Sequence, residues 1–259
     1  VFAATRADLD LSFPEQVKKQ LETLWFKLGG FEVLVNAAAY TQVDRAESEV
    51  EIVRAVNALS VGVMAEFCKD HAVTLLHYST DYVYSGQGVL PYDEETQLSP
   101  VNVYGHSKRE GEDLIRASGT RYLIFRTSWV FDSDGSNFLN TMIKLAGDRD
   151  ELRIVNDQVG APTYAEDLVR YSLYVYCHMR QLAHFESEVF HLCSQGEVSW
   201  YGFASEIFSE LRKRHVSLKV SSVLPIASSD YMTKAMRPKN SRMSLAKVTQ
   251  FLGYAPPDW

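Results

Sequence analysis

Short, continuous apolar runs alternate along this chain with longer stretches of helical periodicity. A continuous apolar run is typical of a parallel β-strand that is covered on both faces. The alternation of such strands with helices predicts an α/β fold with a doubly wound parallel sheet. The predicted strands are residues 1–5, 31–38, 73–80, 121–129 and 189–193. The predicted helices are residues 14–28, 47–71, 103–117, 166–179 and 200–214.

The composition excludes several classes of protein. The 259 residues carry a formal net charge of -7 and no long basic run, which argues against binding to nucleic acid or to an anionic membrane surface. The three cysteines form no C-x-x-C pair and predict reduced thiols rather than a zinc site. The apolar stretches are too short to cross a bilayer. We therefore expect a cytoplasmic protein.

One element of the expected fold is missing from the sequence. A dinucleotide-binding sheet of the Rossmann type opens with a strand and a G-x-G-x-x-G-like turn. Here the only adjacent glycines, Gly29 and Gly30, precede a strand. We expect the glycine-rich turn to lie upstream of Val1. The predicted organisation is an N-terminally incomplete dinucleotide-binding domain, residues 1–150, and a smaller, mainly substrate-binding portion, residues 151–259, with the chain interleaved between them.

The strongest chemical signal is a Y-x-x-x-K motif, Tyr104 to Lys108, in a predicted helix. Side chains four residues apart share one face of a helix. An ammonium beside a phenol stabilises the phenolate, which predicts a Tyr104 pKa below its usual ~10. Such a phenol donates a proton to a carbonyl oxygen while hydride arrives from a nicotinamide. An exposed surface pair has the same spacing, so the motif alone is weakly specific.

A hydroxyl residue ends the apolar run that precedes this helix. Thr80 closes the run 73–80. Ligands of parallel sheets bind beyond the carboxyl ends of the strands, where Thr80 would hydrogen-bond the reacting oxygen. A turn hydroxyl is the alternative role. Together, Thr80, Tyr104 and Lys108 form the arrangement of short-chain dehydrogenases, and they are the predicted catalytic residues.

Six segments carry a closer resemblance over nearly the whole chain. They are NAAAYTQVDRAESE (36–49), HYSTDYVYSGQG (77–88), NVYGHSKREGE (102–112), FRTSWVF (125–131), NDQVGAPT (156–163) and RPKNSR (237–242). With these segments the chain resembles the dTDP-4-dehydrorhamnose reductase family of extended short-chain dehydrogenases/reductases. The resemblance implies NADPH- or NADH-dependent reduction of a nucleotide-linked 4-keto-6-deoxy sugar, dTDP-4-dehydrorhamnose, to dTDP-L-rhamnose.

The resemblance also implies residues that contact the cofactor. Asp10 and Leu11 match the family's acidic–apolar pair at the adenosine end, where Phe often stands in place of Leu. Ala39, Tyr40 and Thr41 follow the strand beneath the nicotinamide half. Simple close packing is the alternative explanation of the small-residue run.

The type of dinucleotide stays open. Arg6 follows the first predicted strand, where a cation tolerates or favours the 2′-phosphate of NADPH. In the family the Lys of the motif also hydrogen-bonds the nicotinamide ribose, so Tyr104 and Lys108 are expected at the cofactor as well. Some members associate magnesium with a dimer contact, and the resemblance therefore allows magnesium and a homodimer here.

The residues expected at the substrate lie in three of these segments. Thr80 and Asp81 match positions that touch the sugar, and Trp129 matches an aromatic residue against which the sugar packs. The forked guanidinium groups of Arg237 and Arg242 suit the oxygens of a diphosphate. A core Trp and solvated surface charges are the alternatives.

Related chemistries and a non-catalytic role are the competing hypotheses. Dehydratases of this fold usually carry an Asp-Glu pair after the strand-end Thr, whereas Tyr82 follows Asp81 here. That difference favours simple reduction over dehydration, and no single residue excludes an epimerase. A protein that truly lacked the glycine-rich turn would instead resemble a binding relative such as the regulatory subunit of methionine adenosyltransferase.

Overall fold

A computed structural model describes residues 1–259 as an α/β fold around a four-stranded parallel sheet. The strands are β1 (Val33–Asn36), β2 (Thr74–Thr80), β3 (Arg121–Thr127), β4 (Val130–Phe131), β5 (Glu151–Val155), β6 (Val159–Gly160), β7 (Thr163–Tyr164), β8 (Glu188–His191), β9 (Val198–Ser199) and β10 (Ser222–Ile226). The helices are α1 (Pro14–Leu28), α2 (Val43–Ala46), α3 (Val50–Arg54), α4 (Ser60–Asp70), α5 (Val103–Ser118), α6 (Phe138–Asp148), α7 (Ala165–Gln181), α8 (Trp200–Lys213) and α9 (Ala246–Leu252).

The central sheet confirms the predicted doubly wound architecture. Its strand order is β1-β2-β3-β8, and every neighbouring pair is parallel. Helices α1, α4 and α5 bury apolar side chains against one face, in a core that includes Leu75 and Ile124. Helices α7 and α9 cover the opposite face, around Leu76 and Phe125. Alternate residues of each strand therefore point to different helical layers, which explains why the strands are apolar throughout.

A smaller unit follows in the second half of the chain. Strands β5 and β10 form a two-stranded parallel sheet of their own. Helices α6 and α8 pack on it around a separate apolar core that includes Met142, Ile154 and Phe208. Elements α6, β5, β10 and α9 are absent from the predicted helices and strands. No helix of the structure combines the length and the apolarity needed to cross a membrane.

Two predicted elements are wrong. Residues 1–5 are exposed and form no strand, because no neighbouring strand offers its backbone groups to them. The single helix predicted for 47–71 is divided into α3, a π-helical turn at Ala55–Leu59 and α4. It starts later than predicted because Glu49 has a non-helical backbone (φ -120°, ψ 39°). The other four predicted helices are confirmed to within a few residues.

Candidate active site

The predicted catalytic residues come together where β2 ends and α5 begins. Thr80 is the last residue of β2. Asn102 caps α5 by accepting a hydrogen bond from the Gly105 backbone N–H at 2.8 Å. A Cβ on Gly105 would stand 2.2 Å from the carbonyl oxygen of Tyr82, so only glycine lets α5 approach the segment after β2 this closely. This approach brings the Tyr104 phenol to the Thr80 hydroxyl.

Lys108 lies beneath Tyr104 and is 2% exposed. Its Nζ donates to the carbonyl oxygen of Tyr78 at 2.6 Å and lies 3.3 Å from Nε2 of His77. Burial lowers the pKa of Lys108 to about 8, and the charge of Glu112 opposes that shift. Burial, together with the Lys108 charge, also lowers the pKa of His77 well below its ordinary value, so His77 is neutral.

The expected lowering of the Tyr104 pKa is wrong. Burial raises the pKa of Tyr104 to about 12, and the negative charge of Asp81 also raises it. The hydrogen bond from Thr80 opposes both effects without outweighing them. Lys108 does not lower this pKa, because its ammonium is bound to the Tyr78 carbonyl oxygen rather than to the phenol. A phenol with a raised pKa holds its proton at neutral pH, which is the form a proton donor needs.

Asp81 forms the floor of the site and is 2% exposed. Its carboxylate accepts hydrogen bonds from the hydroxyl of Thr80 at 3.0 Å and from that of Ser241 at 2.5 Å. Burial raises the pKa of Asp81 to about 6, although both hydroxyl groups oppose the shift. Ser241 lies within the RPKNSR segment but is not predicted from it, because its partner is 160 residues away.

Asn57 is a second residue that the sequence analysis missed. It is buried in the π-helical turn, where its Oδ1 accepts the Tyr40 N–H at 2.8 Å. Its Nδ2 donates to the carbonyl oxygen of Tyr40 and to the hydroxyl of Ser107 on α5. A Cβ on Gly111 would stand 2.3 Å from the Asn57 carbonyl oxygen, so glycine again permits close contact. An Asn inside a predicted helix is an unfavourable residue, and that was the available signal.

Trp129, two residues beyond the end of β3, has a strained backbone conformation (φ 50°). Its ring stacks on Trp200 at a centroid distance of 3.5 Å. The Trp129 ring and the Ser241 side chain leave little space beside Gly160, where a Cβ would lie 3.0 Å from Trp129 and 2.9 Å from Ser241. Trp129 is half-buried, so it is neither a fully enclosed core residue nor a free platform.

The two arginines expected at a diphosphate are both paired with carboxylates. Arg237 forms two hydrogen bonds with Asp44 on α2, at 2.6 and 3.1 Å. Arg242 donates to Glu197 at 2.5 Å and to Asn240 at 3.2 Å. Either guanidinium group would have to exchange a carboxylate for a phosphate, and their contact with substrate stays a prediction.

The residues expected at the adenosine end interact mainly with one another. Arg6 is exposed and pairs with Asp10 at 3.2 Å. The Ser12 backbone N–H and the Arg6 guanidinium lower the pKa of Asp10. Leu11 is buried, and its carbonyl oxygen accepts a hydrogen bond from Ser60 at 2.7 Å. Their contact with a dinucleotide stays a prediction.

The residues expected at the nicotinamide form a surface that fits a flat ring. Ala37 and Ala38 are exposed directly after β1, and Ala39 is half-buried. Tyr40 is held by Asn57, and Thr41 is exposed beside it. Methyl-sized side chains allow a ring to approach the backbone, so these residues fit a nicotinamide. No group of three or more His, Cys, Asp or Glu residues converges in a way that would hold a metal ion.

A doubly wound parallel sheet with Thr, Tyr and Lys at the carboxyl end of a central strand defines a reductase of the short-chain dehydrogenase class. The family model described as the RmlD substrate binding domain matches residues 1–259. The dTDP-4-dehydrorhamnose reductase of Escherichia coli K12 is 38% identical over 253 residues, which cover 96% of this chain and 82% of that protein. The chain belongs to the dTDP-4-dehydrorhamnose reductase family.

Two further relatives agree with this assignment. A Burkholderia thailandensis protein of the same name is 40% identical over 264 residues, which cover 100% of this chain and 87% of that protein. The crystal structure of dTDP-4-dehydrorhamnose reductase from Bacillus anthracis, in complex with NADP, superposes with a TM-score of 0.87 at 30% identity. That match covers 100% of this chain and 86% of the other.

Proposed function

We propose that this protein reduces dTDP-4-dehydrorhamnose to dTDP-L-rhamnose with NADPH or NADH. The observation that carries the proposal is the convergence of Thr80, Tyr104 and Lys108 at the end of β2, in a chain of this family. The alternative of a non-catalytic binding protein has no comparable support, because all three positions keep the residue types that the chemistry needs.

The reaction adds a hydride to the C4 carbonyl carbon and a proton to the carbonyl oxygen. A bound nicotinamide supplies the hydride. Tyr104 gives its phenolic proton to the oxygen, and the Thr80 hydroxyl orients that oxygen. The ammonium of Lys108, one helical turn beyond Tyr104 and held by the Tyr78 carbonyl oxygen, would hydrogen-bond the nicotinamide ribose. The tyrosinate then regains a proton from solvent.

Further assignments are part of the same proposal. Asp81, Trp129, Arg237 and Arg242 bind the nucleotide sugar. The cofactor is bound by Tyr104 and Lys108 together with Arg6, Asp10, Leu11, Ala39, Tyr40 and Thr41. Residues 1–150 serve mainly the dinucleotide and residues 151–259 mainly the substrate. We also propose that the protein acts in the cytoplasm as a homodimer, with magnesium as an optional ligand at the dimer contact.

The test is a coupled assay of the full-length protein. The protein is given dTDP-4-dehydrorhamnose (dTDP-4-keto-6-deoxy-L-mannose) with NADPH or NADH. The loss of reduced dinucleotide and the mass of the sugar product are followed together. We expect oxidation of at least one dinucleotide, matched by formation of dTDP-L-rhamnose. If neither dinucleotide is oxidised while both bind, the binding-protein alternative replaces this proposal.

A further inference from the structure

A buried ionic network lies beneath the catalytic residues and takes no part in the proposed chemistry. Glu112 and Arg126 are 0% and 1% exposed, and two hydrogen bonds of 3.0 and 2.7 Å join them. Ser79 donates to Glu112 at 2.5 Å. Arg126 donates to the Tyr84 hydroxyl at 2.7 Å, and that hydroxyl lies 2.6 Å from Nε2 of His191. We call these five residues the Glu112–Arg126 network.

The network joins the three elements that carry the site. Ser79 directly precedes Thr80 on β2, and Glu112 follows Lys108 by one turn of α5. Arg126 lies on β3, where its Cα pairs with that of Ser79. The Glu112 carboxylate on α5 thus forms hydrogen bonds to both β2 and β3. A change at this carboxylate would alter the distance between β2 and α5.

Stability alone does not explain such a pair. Burial raises the pKa of Glu112, but the hydrogen bonds and charge of Arg126, with smaller contributions from the Ser79 hydroxyl and from Arg116 at 3.0 Å, outweigh burial, so its pKa lies below the ordinary value. Both groups are therefore charged in the interior. Replacing a buried ion pair by apolar residues of similar volume is often neutral or stabilising, so a pair kept here points to a role besides stability.

We propose that Glu112 and Arg126 are positioning residues, which hold Thr80 on β2 and Tyr104 on α5 at the separation that proton transfer requires. This inference rests on the proposed function. The network also acts on Lys108, since Glu112 is the carboxylate whose charge favours the ammonium. The other titratable group in contact with Lys108 is neutral His77 from β2.

The experiment replaces the pair in the full-length protein by Glu112→Leu with Arg126→Met. A misplacement of about 1 Å in a reacting group lowers turnover by ~100-fold, and we expect a fall of that order in kcat. Dinucleotide affinity and Tm should change little. The alkaline limb of the pH–rate profile should move to lower pH, because Lys108 loses the carboxylate that favours its charged form.

The matched control is the pair Arg54 and Glu110, replaced by Arg54→Met with Glu110→Leu. Glu110 lies on the same helix two residues before Glu112, and its bonds to Arg54 measure 2.7 to 3.0 Å. This pair is exposed to solvent and far less enclosed. We expect the control to keep the kcat and the pH–rate profile of the wild type.

A milder variant keeps the inference testable if the paired replacement does not fold. Ser79→Ala removes only the bond between β2 and Glu112, and we expect about a tenfold lower kcat at unchanged dinucleotide affinity. Wild-type kcat and profile in a folded paired variant, or in Ser79→Ala, would overturn the positioning role and leave the proposed function standing. Absence of turnover in the wild type would overturn both.

Discussion

Two carboxylates of this protein are equally buried and differ in their surroundings. Asp81 at the floor of the cleft has hydroxyl donors, Thr80 and Ser241, and burial raises its pKa to about 6. Glu112 in the interior faces the guanidinium of Arg126, which keeps its pKa below the ordinary value. The hydrogen-bond partner, rather than the depth of burial, decides which carboxylate is stabilised in its ionised form.

The carboxylate of Glu112 therefore organises the fold, whereas the carboxylate of Asp81 is available to a ligand. Glu112 has its full complement of donors inside the protein. Asp81 has only neutral donors, beside the phenol of Tyr104, where its charge makes the phenol harder to ionise. Substitutions at Tyr104, Glu112, Asp81 and Arg242 test this contrast.

Tyr104→Phe should have the largest effect, because it removes the proton donor next to Asp81. Loss of a positioned acid lowers the rate by roughly 10²–10⁴-fold. Dinucleotide binding should be nearly unchanged, since the ring remains. Turnover numbers and dinucleotide affinity of the purified variant test this. A variant with wild-type turnover would remove Tyr104 from the chemistry.

Glu112→Gln should destabilise the fold strongly. It leaves the guanidinium of Arg126 buried without its counter-charge, which lowers the free energy of unfolding by about 3–5 kcal/mol. Denaturant unfolding at neutral pH measures the change, with Glu110→Gln on the same helix as the exposed control. An equally small change in the free energy of unfolding of both variants would contradict the role of Glu112 as the counter-charge of Arg126.

Asp81→Asn should do the opposite and stabilise the protein at neutral pH. The pKa of Asp81 rises from 3.8 to about 6 on folding, so the folded state binds more protons than the unfolded state between these values. Stability that is present below about pH 4 is therefore lost as pH rises through 6, by about 3 kcal/mol. Asn removes this dependence.

The measurement is the stability difference between Asp81→Asn and the wild type across this pH range. We expect it to be small below about pH 4 and to grow up to about pH 6. A stability difference that does not vary with pH would contradict a raised pKa of Asp81 in the folded protein.

Arg242→Ala should have the smallest effect on the fold, because its partner Glu197 is 58% exposed and solvent screens the pair, although Arg242 itself is only 16% exposed. Exposed ion pairs contribute about 0–1 kcal/mol to stability. If Arg242 binds the diphosphate, KM for the nucleotide sugar should rise while KM for the dinucleotide stays unchanged. Steady-state kinetics with each substrate varied in turn test this. Equal changes in both KM values would return Arg242 to the role of a surface charge.

The sequence predicted what depends on local pattern. The strands β2, β3 and β8 follow from continuous apolar runs, and α5 with its Tyr104–Lys108 spacing follows from helical periodicity. Three expectations failed, among them the single helix predicted for residues 47–71, and the other two relied on neighbours along the chain. Residues 1–5 have strand-like composition but no partner strand, and the Tyr104 pKa was inferred from Lys108 alone, without burial.

Contacts between distant segments could not be predicted in this way. Ser241 reaches Asp81 across 160 residues, and Trp129 stacks on Trp200. Charged residues are frequent, so nothing in the sequence pairs Arg126 with Glu112 rather than with another acid. Such partners are selected by the packing of β3 against α5, which forms only when the fold is complete.

The most direct test of the central claim follows the hydride itself. Full-length protein is incubated with dTDP-4-dehydrorhamnose and NADPH or NADH carrying deuterium at the transferable position, and the sugar product is analysed by NMR. We predict deuterium at C4 of the product from the wild type, and far less in the same time from Tyr104→Phe. Deuterium that stays on the dinucleotide, although both ligands bind to the wild type, would contradict the proposed reduction.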